Sequence, residues 1–211
     1  MTRAWRWVGE RALLRAFPDP VPESNARALA LASRIEVGRF AGVVDLVPGA
    51  RSLLVVLDGQ AEPTAELLAM LDEPGEATTS DSGAMHEISV RYGGEDGPDM
   101  GAVAAHAGSS EDDVVAMHSS ATYTVGFIGF SPGFPYLLGM PEALAMPRLE
   151  TPRTRIPAGS VGIGGAYTGV YPQATPGGWR LIGRTDHVLF DPSRVPPAVL
   201  SPGATVRFIP A

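Results

Sequence analysis

The first 72 residues alternate short apolar runs with turns and with amphipathic stretches. Period-two alternation favours strands, and apolar residues three or four positions apart favour helices. The six predicted elements are Trp5–Val8, Ala12–Phe17, a helix over Glu23–Val37, Val43–Val47, Ser52–Leu57 and a helix over Pro63–Leu71. On the longer helix we expect Leu29 and the small residues around it to face the sheet. Two helices over one small antiparallel sheet form an α+β sandwich, so residues 1–72 are predicted to be a ferredoxin-like domain.

A polar stretch of small residues without periodicity follows the second helix, from Asp72 to Met85. Segments of this composition often connect domains. We therefore predict a linker over residues 73–85 and a second domain over residues 86–211.

The second domain begins with a strand and two helices and continues as strands and turns only. Thirteen of the 20 prolines lie from Pro132 onward, where they punctuate short apolar runs. The predicted elements are His86–Tyr92, helices over Asp99–His106 and Ser110–His118, and strands Tyr123–Phe130, Val161–Ile163, Trp179–Arg184, Val188–Phe190 and Ala204–Ile209. Short strands with regular turns predict a closed β-barrel.

Composition excludes several kinds of chemistry. The 211 residues include no Cys and no Lys, since all 16 basic residues are Arg. Disulfides, a pyridoxal phosphate anchor, a biotinylated lysine and a P-loop lysine are therefore absent. The absence of Cys, of a signal peptide and of a long apolar run leads us to expect a cytoplasmic protein that does not enter a membrane.

Charge is unevenly distributed along the chain. The net charge of −7 arises in residues 72–147, where 12 acidic residues face one arginine. Residues 148–211 carry 7 arginines against 3 acidic residues. An acidic chain repels nucleic acid, so we expect no nucleic-acid partner, whereas a small anion could bind in the basic C-terminal third.

Gly129–Gly133 matches the G-x-S-x-G pattern of a hydrolase nucleophile. In such enzymes the residue after the serine donates its backbone N–H to the oxyanion, and Pro132 has no N–H. A helix must also follow the serine, and Pro132, Gly133 and Pro135 disfavour one. The sequence therefore argues against Ser131 as a nucleophile.

Gly162–Gly169 is rich in glycine but lacks the spacing and the lysine of known phosphate-binding loops. Its amides could face an anion, although a β-turn or bulge explains the glycines better. The four histidines lack metal-site spacing, so no metal is predicted. His118, which immediately precedes an aromatic strand, is the histidine we keep as a candidate.

Arg153 and Arg155 flank one residue and would share a face of an extended segment. Two guanidinium groups on one face suit a carboxylate or a phosphate, and a solvated edge strand is the alternative. Phe134 and Tyr136 would line an apolar wall beside them.

Several long motifs resemble one family. They are HSSATYTVGFIGF from His118, SPGFPYLLG, TPRTRIPAGSVGI, TGVYP, TPGGWRLIGRT, and in the N-terminal half NAR and VVDLVPGARS. Together they resemble the family of B-type 5-oxoprolinase subunits, also known as allophanate hydrolase subunit 1 and as the kinase inhibitor KipI. The resemblance covers nearly the whole chain.

The resemblance implies a cyclophilin-like barrel in the second domain and a partner, the C-type 5-oxoprolinase subunit, also known as allophanate hydrolase subunit 2. The two chains would form a carboxyltransferase-type pair. With a third subunit, the complex would open 5-oxoproline to L-glutamate at the expense of ATP, and this chain would be inactive alone. The alternatives are an inhibitor of a sensor histidine kinase and a component of an allophanate hydrolase or urea-carboxylase-type complex.

The expected site combines the arginines and the glycine-rich loop. Arg153 and Arg155 would bind the substrate carboxylate or a phosphate, Gly164 and Gly165 would donate backbone N–H groups, and ATP would be bound by the complex. Tyr167 stands where the family usually has a glutamine, which changes the hydrogen-bonding group offered to a lactam or urea. The resemblance assigns no catalytic residue to this chain.

Overall fold

A computed structural model describes residues 3–60, 62–73 and 85–211. These residues belong to two compact units, one within residues 1–81 and one within residues 82–211. The predicted linker over residues 73–85 lies, apart from its two end residues, outside the described part of the chain. The predicted domain bounds therefore stay a prediction.

The N-terminal unit is a four-stranded sheet with two helices. Its elements are β1 Trp5–Trp7, β2 Ala12–Ala16, α1 Glu23–Gly38, β3 Val43–Pro48, β4 Ser52–Leu57 and α2 Ala65–Asp72. The strand order is β1-β2-β4-β3, and every pair is antiparallel. The predicted elements of this half are confirmed to within two residues at each end.

The core of this unit lies between the helices and one face of the sheet. Leu13, Leu53 and Val55 alternate with less buried residues along β2 and β4, as expected for a sheet covered on one face. The face of α1 differs from the prediction. Ala28, Leu31, Ala32 and Ile35 are buried, whereas Leu29 is only partly buried, because the spacing of three and four residues starts at Ala28.

The C-terminal unit contains a closed barrel of seven strands. Its elements are β5 Met85–Tyr92, α3 Met100–Ala107, α4 Glu111–Ser120, β6 Tyr123–Ile128, β7 Pro135–Leu138, a 3-10 helix Glu142–Leu144, β8 Arg153–Ile156, β9 Ser160–Gly164, β10 Tyr167–Val170, β11 Thr175–Gly177, β12 Arg180–Arg184 and β13 Thr205–Pro210. The barrel order is β10-β7-β6-β13-β5-β12-β9, closed by pairing of β9 with β10. β8 and β11 form a separate two-stranded ribbon.

The sequence predicted the barrel but missed two of its strands, β7 and β10, and both strands of the separate ribbon, β8 and β11. β7, β8, β10 and β11 are short and rich in Gly, Pro or polar residues, so their alternation was too brief to detect. Val188–Phe190 is not a strand, and the prediction there is wrong. Only an isolated bridge between Phe190 and Ala198 forms in that segment.

Side chains of β10 alternate between the interior and the outer wall of the barrel. Val170 belongs to the large core that fills the barrel, and Thr168 is fully buried beside it. Tyr167 and Tyr171 belong to a separate aromatic cluster. Because side chains alternate along a strand, β10 contributes both to the barrel interior and to the outer wall, and either could hold a functional site.

Candidate functional site

Six aromatic rings form a cluster on the outer wall of the barrel. It is called the outer aromatic cluster below, and its members are Phe127, Phe134, Tyr136, Tyr167, Tyr171 and Trp179. Phe134 contacts Tyr136, Tyr171 and Trp179 edge to face, with centroids 4.9–5.3 Å apart. Phe127 stacks on Tyr136 at 4.4 Å. Phe127, Tyr136 and Tyr167 are only half-buried, so this edge of the cluster faces solvent.

Three glycines pack closely against the Trp179 side chain. A Cβ at Gly164 would come within 2.5 Å of the indole ring, and one at Gly162 or Gly169 would come within 3.2 Å of Trp179. These glycines are therefore required by close packing of a large ring on the strands β9 and β10. Their density reflects this packing and not a phosphate-binding loop.

Gly165 and Ala166 form the two-residue turn between β9 and β10. Gly165 has φ of 65°, a conformation that glycine adopts without strain. Its N–H donates to the carbonyl of Met146 at 2.8 Å, and its own carbonyl accepts from the N–H of Met146. Because the N–H of Gly165 is occupied, the structure argues against the oxyanion-donor role predicted for it.

The loop Gly129–Phe134 between β6 and β7 carries a strained backbone. Phe130 has φ of 66°, and the N–H of Ser131 donates to the carbonyl of Gly129 at 2.7 Å, which closes a γ-turn around Phe130. Pro132 and Gly133, with φ of 75° at Gly133, then form a turn closed by the N–H of Phe134. The Phe130 ring is 60% exposed.

Ser131 is no more favourable as a nucleophile in the structure than in the sequence. Its Oγ is buried and has no hydrogen-bond partner among the described residues. A serine nucleophile needs a base within hydrogen-bond reach, and no described residue supplies one. The positive φ, moreover, belongs to the residue before the serine.

Arg153 forms an ion pair that sequence reasoning missed. Its Nη2 donates to Oδ1 of Asp99 at 2.9 Å, and Oδ2 of Asp99 accepts from the N–H of Leu181 at 2.7 Å. Asp99 precedes α3, a position typical of a helix cap, yet its side chain makes no capping hydrogen bond. Both carboxylate oxygens are instead used by groups on β8 and β12. The only sequence signal at Asp99 was its position before a helix, and this position predicts a helix cap and not an ion pair with Arg153.

Arg155 lies on the same short strand but is exposed. It has no hydrogen bond or ion pair with a described residue, whereas the charge of Arg153 is compensated by Asp99. The two arginines therefore differ in their environment, although they are only two positions apart in sequence.

His118 lies in the barrel interior, away from the outer aromatic cluster. It is fully buried and contacts Tyr92 on β5, Tyr123 on β6 and Phe208 on β13, with Phe208 stacked at 4.6 Å. Its Nε2 lies 2.9 Å from Oγ1 of Thr168 on β10. Strands from different parts of the barrel thus surround the imidazole.

The hydrogen bonds around His118 define its tautomer. Oγ1 of Thr168 donates to the carbonyl of Gly162 at 3.1 Å, so this oxygen accepts from Nε2–H of His118. Nδ1 of His118 then accepts from the Tyr92 hydroxyl at 2.8 Å. Every polar atom is satisfied with a neutral ring, and burial lowers the pKa of His118 to about 3. A neutral histidine closed off from solvent is a structural element of the barrel.

The family of the chain follows from comparison with known proteins. The family model described as "Carboxyltransferase domain, subdomain C and D" matches residues 3–200. The B-type 5-oxoprolinase subunit of Escherichia coli O157:H7 is 48% identical over 96% of this chain and 94% of its own length. That of Haemophilus influenzae is 43% identical over 96% of this chain and 95% of its own length. The chain belongs to the family of B-type 5-oxoprolinase subunits.

Solved structures place this fold in single chains of very different lengths. The crystal structure of TTHA0988 is 38% identical and superposes with a TM-score of 0.80 over 95% of this chain, which spans only 40% of that protein. The urea amidolyase of Kluyveromyces lactis shares the fold at 22% identity, with a TM-score of 0.74 over 98% of this chain and 15% of its own.

Within this family member, the structure brings some candidate residues together and separates others. Phe134, Tyr136, Tyr167 and Gly164 meet in the outer aromatic cluster, and Arg153 is close enough for its charge to act on Tyr171. His118 lies on the other side of the barrel wall.

Two further features bear on the chemistry. In the described ranges, no group of three or more His, Cys, Asp or Glu side chains is arranged to hold a metal ion. None of the helices in these ranges has the length and apolar character needed to span a membrane.

Proposed function

We propose that this chain is a subunit of an ATP-dependent 5-oxoprolinase. The complex converts 5-oxoproline, ATP and water to L-glutamate, ADP and phosphate. The observation that carries this proposal is the 48% identity to the B-type 5-oxoprolinase subunit of Escherichia coli O157:H7. Such identity over nearly the full length of both chains supports the same substrate class.

The chain acts together with the C-type 5-oxoprolinase subunit and a third subunit, and it is inactive alone. Its match to only 40% of TTHA0988 supports this, because there the same fold is part of a chain more than twice as long. ATP is bound by the complex, which works in the cytoplasm. Ser131 has no base within hydrogen-bond reach among the described residues, and these residues hold no metal ligand set, which supports a chain that provides a binding surface and not the full catalytic machinery.

The outer aromatic cluster is the binding surface we propose. 5-Oxoproline is a planar lactam with one carboxylate, and half-buried aromatic rings suit its flat face. Phe134 and Tyr136 form the wall, and Tyr167 offers a hydroxyl near the lactam. Ring opening breaks the amide C–N bond and adds water across it, and phosphorylation of the lactam oxygen by ATP makes that carbon more reactive.

The two arginines have different roles in this proposal. Arg155 has its charge free for the substrate carboxylate or a phosphate. Arg153 remains a candidate through the one guanidinium nitrogen, Nη1, that is buried without a partner among the described residues. Gly164 contributes by holding Trp179 in place.

The test is reconstitution with the two other subunits, followed by measurement of glutamate formed from 5-oxoproline. Activity should require ATP and all three chains. Turnover by this chain alone would contradict the half-enzyme role, and an inactive complete complex would contradict the proposed substrate.

One observation favours a second candidate, a component of a urea-carboxylase-type complex. The urea amidolyase of Saccharomyces cerevisiae is 28% identical over 98% of this chain, which spans only 13% of that protein. Tyr167, in place of an amide, alters the group that would meet a lactam or a urea. Assaying the same complex with 5-oxoproline and with urea distinguishes the two, since only the matching substrate should drive ATP hydrolysis.

We also propose finer fold assignments for both units. The order β1-β2-β4-β3, with all pairs antiparallel, is the order obtained by cyclic permutation of a βαββαβ ferredoxin-like unit. The seven-stranded closed barrel, with two helices that pack on it, supports the cyclophilin-like assignment.

A further inference from the structure

Arg148 is an arginine beside the outer aromatic cluster whose charge is not compensated. Its Cζ lies 5.8 Å from the centroid of the Trp179 ring, and the side chain is exposed. It makes no ion pair or hydrogen bond with any residue in the described ranges, whereas Arg153 is paired with Asp99. Of these two arginines, Arg153 is paired, and Arg148 is unpaired as far as the structure describes the chain.

The backbone around Arg148 is held on both sides. The N–H of Leu149 donates to the carbonyl of Gly178 at 2.7 Å. Met146, two residues before Arg148, exchanges two hydrogen bonds with Gly165. These hydrogen bonds fix the backbone from which the Arg148 side chain extends.

Trp179 is held in place by a glycine and by a cation. Gly164 supports the indole at a distance that leaves no room for a Cβ, and the Arg148 guanidinium lies over the ring. The ring itself is only 3% exposed. A cation seated on a tryptophan keeps its outer N–H groups directed to solvent, where they can bind an anion.

The Tyr171 hydroxyl lies in the same electrostatic environment. Burial raises the pKa of Tyr171 to about 12, and the charges of Arg148 and Arg153 oppose that rise. Both arginines thus act on one point of the cluster. Asp99 pairs with Arg153, whereas Arg148 has no such partner among the described residues.

We propose that Arg148 binds the carboxylate of a small planar amide substrate at the Trp179 edge of the outer aromatic cluster. This inference rests on the proposed function, in which that substrate is 5-oxoproline, and it assigns the carboxylate to Arg148, which leaves Arg155 for a phosphate. The guanidinium donates two hydrogen bonds to the carboxylate, and the lactam ring lies against the half-buried rings. Arg148 is thereby a specificity-determining residue, since it distinguishes a lactam with a carboxylate from one without.

The first experiment measures binding to the full chain through Trp179. The background carries Trp5→Phe and Trp7→Phe, which leaves one of the three tryptophans as the probe. 5-Oxoproline and 2-pyrrolidinone, the same lactam without the carboxylate, are titrated into this background, into Arg148→Gln and into the control Arg207→Gln. Arg207 is an exposed arginine on β13 with no hydrogen bond or ion pair to a described residue.

Arg148→Gln should raise the Kd for 5-oxoproline about tenfold to a hundredfold, the range of a charge-assisted hydrogen-bonded pair. Arg207→Gln should leave that Kd unchanged, and 2-pyrrolidinone should bind all three proteins equally weakly. An unchanged Kd in Arg148→Gln overturns the inference. So does equal affinity of the parent chain for the two lactams.

The second experiment repeats the comparison in the reconstituted complex. Arg148→Gln should raise KM for 5-oxoproline by a similar factor and change kcat much less, because the lost contact is present in both ground and transition states. A lower kcat with unchanged KM contradicts a carboxylate-binding role. If Arg148 controls binding of 5-oxoproline but the complete complex forms no glutamate, the proposed function fails and the anion site stands.

Discussion

His118 makes the stability of the barrel unit depend on pH in a defined direction. The folded state holds the imidazole neutral, with its pKa lowered from 6.5 to about 3 by burial. The unfolded chain binds a proton below pH 6.5 and the folded chain does not. His118 therefore contributes stability in full above pH 6.5, and this contribution is lost as pH falls toward 3.

The magnitude follows from proton linkage. Each pH unit below the unfolded pKa costs about 1.4 kcal/mol, so a fall from pH 7 to pH 5 removes about 2 kcal/mol. This interval lies well above the folded pKa, so the loss depends on the unfolded-state pKa alone. Aromatic rings and hydroxyls surround the imidazole, and no carboxylate of the described residues hydrogen-bonds to it to offset the cost.

The variant His118→Gln tests this reasoning, because its amide can still donate to Thr168 but cannot titrate. The assay is urea unfolding at pH 7 and pH 5 and constant ionic strength, with Trp179 as the only tryptophan so that the signal reports on the barrel unit. At pH 7 the variant should be about 1–3 kcal/mol less stable, since Tyr92 loses its acceptor. Between pH 7 and 5 it should lose about 2 kcal/mol less than the parent.

The control is His187→Gln, which removes an exposed histidine from the same unit. The reasoning requires a larger change in pH slope for His118→Gln than for this control. Identical slopes in parent and His118→Gln would refute the buried neutral imidazole.

Three further predictions test the outer wall of the barrel. Gly164→Ala should lower the free energy of unfolding by about 1–3 kcal/mol and shift the fluorescence emission of Trp179. Gly178→Ala is the control, because Gly178 has room for a Cβ, and it should change neither the stability nor the emission. Asp99→Ala should lower the free energy of unfolding, measured with urea, by about 3 kcal/mol, because Arg153 then loses its partner. Adding Arg153→Met should recover part of this loss, since both charges are then removed. A double variant less stable than Asp99→Ala would contradict the role of the ion pair. Phe130→Gly should be about 1 kcal/mol more stable than Phe130→Ala, since only glycine relieves the positive φ; equal melting temperatures would exclude strain.

Strands with sustained alternation are among those that the sequence predicted correctly. β2, β4, β6 and β13 each place apolar residues on one face over five or six positions, and all four were identified within two residues. β10 contains only four residues, Tyr-Thr-Gly-Val, and follows a glycine-rich turn. Its place in the barrel depends on pairing with β9 and β7, which no local pattern encodes.

The candidate site was recognised in part. The density of Gly and aromatic residues indicated that some group packs closely against the glycine backbone. The structure shows that this group is the Trp179 ring, which packs on Gly164 within the protein itself. The partner of Arg153 could not be predicted, because Asp99 lies 54 positions away and occupies what looks like a helix cap. Arg148 carries no distinguishing signal in the sequence, since only its position over a ring sets it apart.

The sequence by itself determined the family, the α+β and barrel halves, and the absence of lysine and cysteine chemistry. These depend on composition, on long motifs and on local periodicity, each of which is a property of neighbouring residues. Only the tertiary structure decided that His118 lies inside the barrel while Tyr167 and Trp179 lie outside. A one-residue step along a strand reverses the face of a side chain, and closure of the sheet turns those two faces into an interior and a surface.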